Sequence, residues 1–170
     1  MTATLPVLAT VRCELRPLTA GDAAELHALW TAPGVRRFLW DDEIIPLDRT
    51  VDAIRTSEAL FDAHRFGLWA VRLQRQAPIA GFAGIWPFRD PPEFELLYGV
   101  AESYWGRGLA VEASQAVLDY CREALAMTIV RASTDAANTA SVRVLNRLGF
   151  APVRRAQVGG LDTLFYEWVG

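Results

Sequence analysis

Leu96-Leu97-Tyr98-Gly99-Val100 leads through Ala101-Glu102-Ser103 into Tyr104-Trp105-Gly106-Arg107-Gly108-Leu109-Ala110, and the residues that follow have the strongest helical periodicity in the chain. The order is strand, glycine turn, helix. Two glycines one residue apart allow a backbone path closed to other residues, and they let the chain come close to a bulky group. The first N–H groups of a helix lack an intrahelical acceptor and sit at the positive end of its dipole, so this turn suits an anion such as a diphosphate. The other reading is a tight turn that only packs a helix on a sheet.

Spacing narrows the ligand. A dinucleotide fingerprint needs a small third residue where Val111 stands, and a Walker loop needs a lysine, which this chain lacks altogether. What remains is a short anion cradle closed by the small Ala110.

Outward from this turn, the helix presents Leu109, Ala113, Ala116, Val117, Tyr120, Cys121 and Ala124 at intervals of three and four, with Glu112, Gln115, Asp119 and Glu123 facing away. Upstream, Glu93 to Val100 is a strand that follows Pro87, Pro91 and Pro92. Gly99 within it marks either a bulge or a close backbone approach. Phe66 to Leu73 and Ile79 to Trp86 read as an antiparallel hairpin around the polar Gln74-Arg75-Gln76. Val11, Cys13 and Leu15 alternate with Arg12, Glu14 and Arg16, the period of a half-buried strand.

Thr19 with Asp22 resembles a helix-start box ahead of the stripe Leu26, Leu29 and Trp30, which ends near Pro33-Gly34. Val35 to Glu43 has no assignable period; its aromatics either line a pocket or pack a loop, and its acids either attract a cationic amine or form a solvated tip. Asp48 is read as the cap of a helix carrying Val51, Ile54 and Phe61 and closed by His64 and Arg65. Downstream, Ile129 to Ser133 is a short strand, and Asn138 is the natural N-cap of a helix that runs to Leu148 and stops at Gly149. Phe150 to Gln157 and Leu161 to Trp168 form a last hairpin across Gly159-Gly160. Seven strand segments and four helices in mixed order predict an α/β (α+β) domain spanning residues 1–170, with no repeat or linker.

At 170 residues, 52% hydrophobic and 22% charged, the composition is that of one folded globule. A net charge of −3 argues against general nucleic-acid binding, and no run reaches membrane-spanning length. The first ten residues have no signal-peptide pattern, which places the chain in the cytoplasm. Cys13 and Cys121 read as buried thiols, and His27 and His64 form no ligand set, so no metal is expected.

Two motifs in this order resemble those of the GNAT family of acetyl-CoA-dependent N-acetyltransferases. Trp105-Gly106-Arg107-Gly108-Leu109-Ala110 matches the family's Gln/Arg-x-x-Gly-x-Gly/Ala loop, with Trp105 at the Gln/Arg position. Asn138-x-x-Ser141 followed by Leu148-Gly149-Phe150 is the second. With Glu95-x-x-Tyr98 ahead of the loop, the pattern is most similar to the branch that acetylates the N-termini of ribosomal proteins. The resemblance runs from Val11 to the last strand.

It implies a mixed, mostly antiparallel sheet of about seven strands flanked by helices. It further implies that Trp105 to Ala110 hold the diphosphate of acetyl-CoA, with Arg107 adding charge, and that Tyr98, Gly99 and Val100 bind the pantetheine arm where their strand parts from its neighbour. Acetyl transfer needs a neutral amine, a proton acceptor and stabilisation of the leaving sulfur, without a covalent enzyme intermediate. Glu95 in an apolar strand is the candidate base, with Glu93 second; its other reading is a salt-bridged acid. The tyrosine that many members place four residues after Ser141 is Leu145 here, so Ser141 is the implied acid, and Asn138 binds CoA, caps its helix, or does both. Trp30, Phe38, Trp40 and Trp86 are candidates for the acceptor pocket. The implied acceptor is a small-molecule amine or a peptide N-terminus, and the implied assembly is a monomer or homodimer. The alternatives are a catalytically weak acyl-CoA-binding sensor or interaction module, and a regulatory domain that uses the glycine loop for another nucleotide.

Overall fold

The computed structural model describes residues 5–75, 77–89 and 93–170. Gln76 of the polar turn, Pro91, Pro92 and residues 1–4 lie outside the described residues. The strands are β1 (Leu8–Ala9), β2 (Glu14–Pro17), β3 (Leu68–Arg72), β4 (Gly81–Phe88), β5 (Glu93–Val100), β6 (Ile129–Asp135), β7 (Ala151–Val158) and β8 (Leu161–Val169). The helices are α1 (Ala23–Thr31), α2 (Pro33–Leu39), α3 (Leu47–His64), α4 (Leu109–Leu125) and α5 (Thr139–Arg147).

One eight-stranded sheet has the order β1-β2-β3-β4-β5-β6-β8-β7. Every neighbouring pair is antiparallel except β5 with β6. That exception positions the site. Between β4 and β5 the register is continuous from Gly81 opposite Val100 to Phe88 opposite Glu93, whereas β5 meets β6 only at Glu95 opposite Arg131. Beyond Glu95 the two parallel strands part, and Tyr98, Gly99 and Val100 have no register partner on β6.

Strand alternation divides the apolar residues between two cores. Ala83, Ile85 and Leu96 pack with Val117, Leu118 and Cys121 of α4, while Phe82 packs with Leu26 and Trp30 of α1 and Ile54 of α3. The first of these cores takes in the whole apolar side of α4 and Leu145 of α5.

Several elements differ from the sequence reading, each for a local reason. The alternation at Val11 does not continue a strand: Thr10 and Cys13 close a turn by backbone and hydroxyl bonds, and Val11 at its tip is 98% exposed. Of the unassigned segment, residues 35–39 belong to α2, which starts at Pro33, where a missing N–H costs nothing, and residues 40–43 follow it as a turn. Asp48 lies in the first turn of α3 instead of at its cap, which is Pro46. The buried stripe of α4 includes Ser114 and Leu118 and leaves Ala124 exposed, because the helix is covered on more than one flank. At Gly99 there is no bulge; a Cβ there would lie 2.6 Å from the Phe82 ring, so the close approach is the operative constraint. The expectation of about seven strands becomes eight with β1.

Candidate active site

The glycine turn has the geometry its sequence demands. Gly106 and Gly108 take φ of +72° and +74°, a region costly for other residues. Among the described residues, beyond its chain neighbours, nothing lies within 4 Å of where a Cβ on Gly106 would sit, so the cradle is open. The amide of Glu112 bonds the Gly108 carbonyl at 3.1 Å, which leaves the N–H groups of Leu109, Ala110 and Val111 ahead of it without a carbonyl one turn back. Arg107 is exposed on this turn, 5.7 Å from the Tyr104 ring centroid. A backbone cradle with open space and an exposed cation beside it fits a diphosphate.

Two attachments that the sequence reading missed hold this turn. Arg12 donates to the Arg107 carbonyl at 2.8 Å and to Glu112 at 2.6 Å, while Thr10 and the Arg12 amide also bond Glu112. Glu112, expected to face away from the core, thus ties the first turn of α4 to the turn after β1. On the other side, Trp105 donates its indole N–H to the Val100 carbonyl at 2.7 Å. Glu102 accepts the Gly34 amide at 2.6 Å, and a Cβ on Gly34 would lie 2.5 Å from the Trp105 ring. The start of α2 is therefore seated directly on the loop. Nothing local in the sequence signals either attachment.

Glu95 is 1% exposed. One of its oxygens pairs with Arg89 and the other accepts from Ser133 Oγ at 2.6 Å. Arg89 also bonds Glu93 at 2.7 Å and stands over the Phe165 ring. Glu93 is half-exposed, and a pocket of about 250 Å³ opens beside both carboxylates against Arg131, Phe165 and Glu167.

Tyr98 and Glu95 are three apart on β5, so their side chains leave opposite faces of the sheet. The Tyr98 hydroxyl lies 2.6 Å from Ser141 Oγ on α5, and burial, partly offset by that bond, pushes its pKa up to about 12. Asn138 Oδ1 accepts the Ser141 amide at 3.1 Å, so the capping reading of Asn138 is realised. Leu145 is buried in the core.

The four aromatic candidates separate. Trp30 is buried, 5.4 Å from the Trp40 ring centroid and edge-on to Phe82 at 5.6 Å, so it belongs to the core beneath the site. Trp86 is half-buried opposite Glu95 on β4. Phe38 lines a pocket of about 330 Å³ together with Asp41, Asp42 and Asp135, which ends β6 where it diverges from β5. Burial, with the negative charge of Asp41, raises the pKa of Asp135. Among the described residues no group of three or more His, Cys, Asp and Glu could hold a metal ion, and no helix is long and apolar enough to cross a membrane.

A family model for the acetyltransferase (GNAT) domain matches residues 12–151. An uncharacterized N-acetyltransferase of Bacillus licheniformis, p20, is 27% identical over 149 residues, 86% of this chain and 83% of that protein. Among solved structures, the acetyltransferase from Agrobacterium tumefaciens str. C58 superposes with a TM-score of 0.85 at 24% identity, over 100% of this chain and 98% of that one. RimL, a ribosomal L7/L12 alpha-N-protein acetyltransferase solved in complex with coenzyme A, gives 0.81 at 16% identity, over 96% and 98%.

Proposed function

The chain belongs to the GNAT acetyltransferase family, and from that premise we propose that it transfers acetyl from acetyl-CoA directly to a primary amine, as one domain. The observation that carries this reading is the coincidence of the open glycine cradle at the head of α4 with the parting of β5 from β6. The first suits a diphosphate, and the second supplies an edge for an extended amide-bearing arm. Trp105 to Ala110 would hold the diphosphate with Arg107 beside it, and Tyr98 to Val100 would line the arm.

Within the site, Glu95 takes the amine proton through a water. Both oxygens of this carboxylate already have partners, so one partner must leave before a water can reach it. Arg89 is the candidate, because its side chain is 31% exposed and retains Glu93 when it turns outward. Ser133 then keeps Glu95 aimed. Ser141 donates a hydrogen bond to the sulfur as the C–S bond breaks. The pocket at Asp41 and Asp135 also holds Arg37, but its four aspartates leave it net negative, which favours an acceptor that is cationic away from its reacting nitrogen, whether a small amine or the N-terminal segment of a basic peptide.

The test is release of free thiol from acetyl-CoA in the presence of a panel of amines and peptides, with acceptor mass recorded before and after. The expected result is a gain of one acetyl group on at least one cationic amine. Tight CoA binding without transfer to any acceptor would favour the sensor reading, and absence of CoA binding would refute both.

A further inference from the structure

The family resemblance places a tyrosine four residues after Ser141, where this chain has a buried leucine, Leu145. The sheet brings a phenol to the same helix from another element. Tyr98 on β5 puts its hydroxyl 2.6 Å from Ser141 Oγ and 3.3 Å from the Ser141 carbonyl. Among the described residues, Ser141 Oγ has no other hydrogen-bond partner.

We propose that Tyr98 is a positioning residue of the transfer site, donating a hydrogen bond to Ser141 Oγ so that the Ser141 hydroxyl hydrogen points at the sulfur of the bound thioester. This rests on the acetyl-transfer reading and adds a residue to it.

Each hydroxyl has one proton and two acceptor sites, so two arrangements of the pair exist. If Ser141 donates to Tyr98, the phenol proton is left with a long contact to a carbonyl and the sulfur receives nothing. If Tyr98 donates to Ser141, both protons are used, the second against a sulfur that gains negative charge. Hydrogen bonds to a charged acceptor are about twice as strong as neutral ones, so the second arrangement gains as the reaction proceeds. Burial keeps the Tyr98 phenol protonated far above neutral pH, so its donor role persists across the working range.

The pair supplies hydrogen bonds and loses no proton. A C–N bond forms as the amine lone pair attacks the carbonyl carbon, and the C–S bond breaks with its electron pair going to sulfur. The proton removed from nitrogen passes to Glu95 and solvent, and solvent returns one to the thiolate.

The experiment compares the wild type with Tyr98→Phe, Ser141→Ala and the double variant in two assays. Calorimetry with CoA and with desulfo-CoA reads the contact to sulfur without turnover. The wild type is expected to prefer CoA by roughly fivefold, the net worth of one hydrogen bond, and both single variants to lose that preference. In steady-state transfer, each single variant lowers kcat by about tenfold with KM for acetyl-CoA nearly unchanged, and the double variant is no worse than either single, because the two groups act as a unit. Thermal melts establish that all variants are folded. If Tyr98→Phe keeps both the preference for CoA and the wild-type kcat, or if the single effects multiply in the double variant, the proposal is overturned while acetyl transfer stands. A wild type that binds no CoA overturns the proposal together with the reading beneath it.

Discussion

The chemistry of single residues is dominated by how completely their polar atoms are already engaged. Glu95 is enclosed between Arg89 and Ser133, and this accounts for a charged residue in the sheet interior better than burial alone, which would leave an unpaired carboxylate at a cost of several kcal/mol. As a base it must also exchange a proton. Glu95→Gln is expected to lower kcat by about 10²-fold with little change in KM for acetyl-CoA and to remove the acid limb of the kcat profile. An unaltered pH profile would make Glu95 a structural acid of the β5–β6 contact. Its surroundings were half legible in the sequence. A carboxylate in an apolar strand points to chemistry or to a partner, but Arg89 and Ser133 lie 6 and 38 residues away, and only folding shows that both reach it.

At the scale of elements, the stretch from β5 through α4 was legible because its signals are local: two glycines, a run of apolar residues and a helical period. Its fastenings were not, since Gly34 meets Glu102 across 68 positions and Arg12 meets Glu112 across 100. These contacts make predictions of their own. Gly34→Ala places a methyl within 2.5 Å of the Trp105 ring and 2.6 Å of the Glu102 carboxylate, so it should destabilise by about 1–3 kcal/mol in urea unfolding. A change below about 0.5 kcal/mol would show that Trp105 is not held there. Gly108 has positive φ, so Gly108→Asn, which tolerates that region, controls for strain, and Gly108→Asp adds charge to the cradle. The Asp variant should raise KM for acetyl-CoA at least tenfold beyond the Asn variant, an effect of about 1.4 kcal/mol. Equal values for the two would remove the anion from the cradle.

Glu112 adds a pH dependence. Burial opposes its charge, but the bonds from Thr10 and Arg12 and the Arg12 charge outweigh that and bring its pKa below the ordinary value. The unfolded chain therefore binds this proton more readily than the folded one. The stability it contributes is complete above the unfolded pKa and is lost as pH falls through the folded one. Glu112→Gln should melt lower than the wild type at pH 7, with the gap closing as pH falls through and below the ordinary glutamate range. A gap that stays constant on acidification would mean that the contact is not ionic.

For the whole molecule, the fold follows from one irregularity in an otherwise antiparallel sheet. A parallel neighbour cannot be reached by a hairpin, so the chain leaves β5, crosses through α4 and returns as β6. The crossover helix follows the end of the strand it leaves, which places the glycine turn beside the opening between β5 and β6. The family resemblance implied a mixed, mostly antiparallel sheet but not its strand order, because the register of β6 against β5 and β8 depends on pairings that no local period encodes. A diffraction structure of the protein crystallised with coenzyme A tests the account most directly. It should show the diphosphate bonded to backbone amides within Trp105–Ala110 and the pantetheine arm along Tyr98–Val100, with the sulfur near Ser141. A diphosphate held by side chains remote from Gly106 and Gly108, or an arm lying outside the β5–β6 opening, would contradict it.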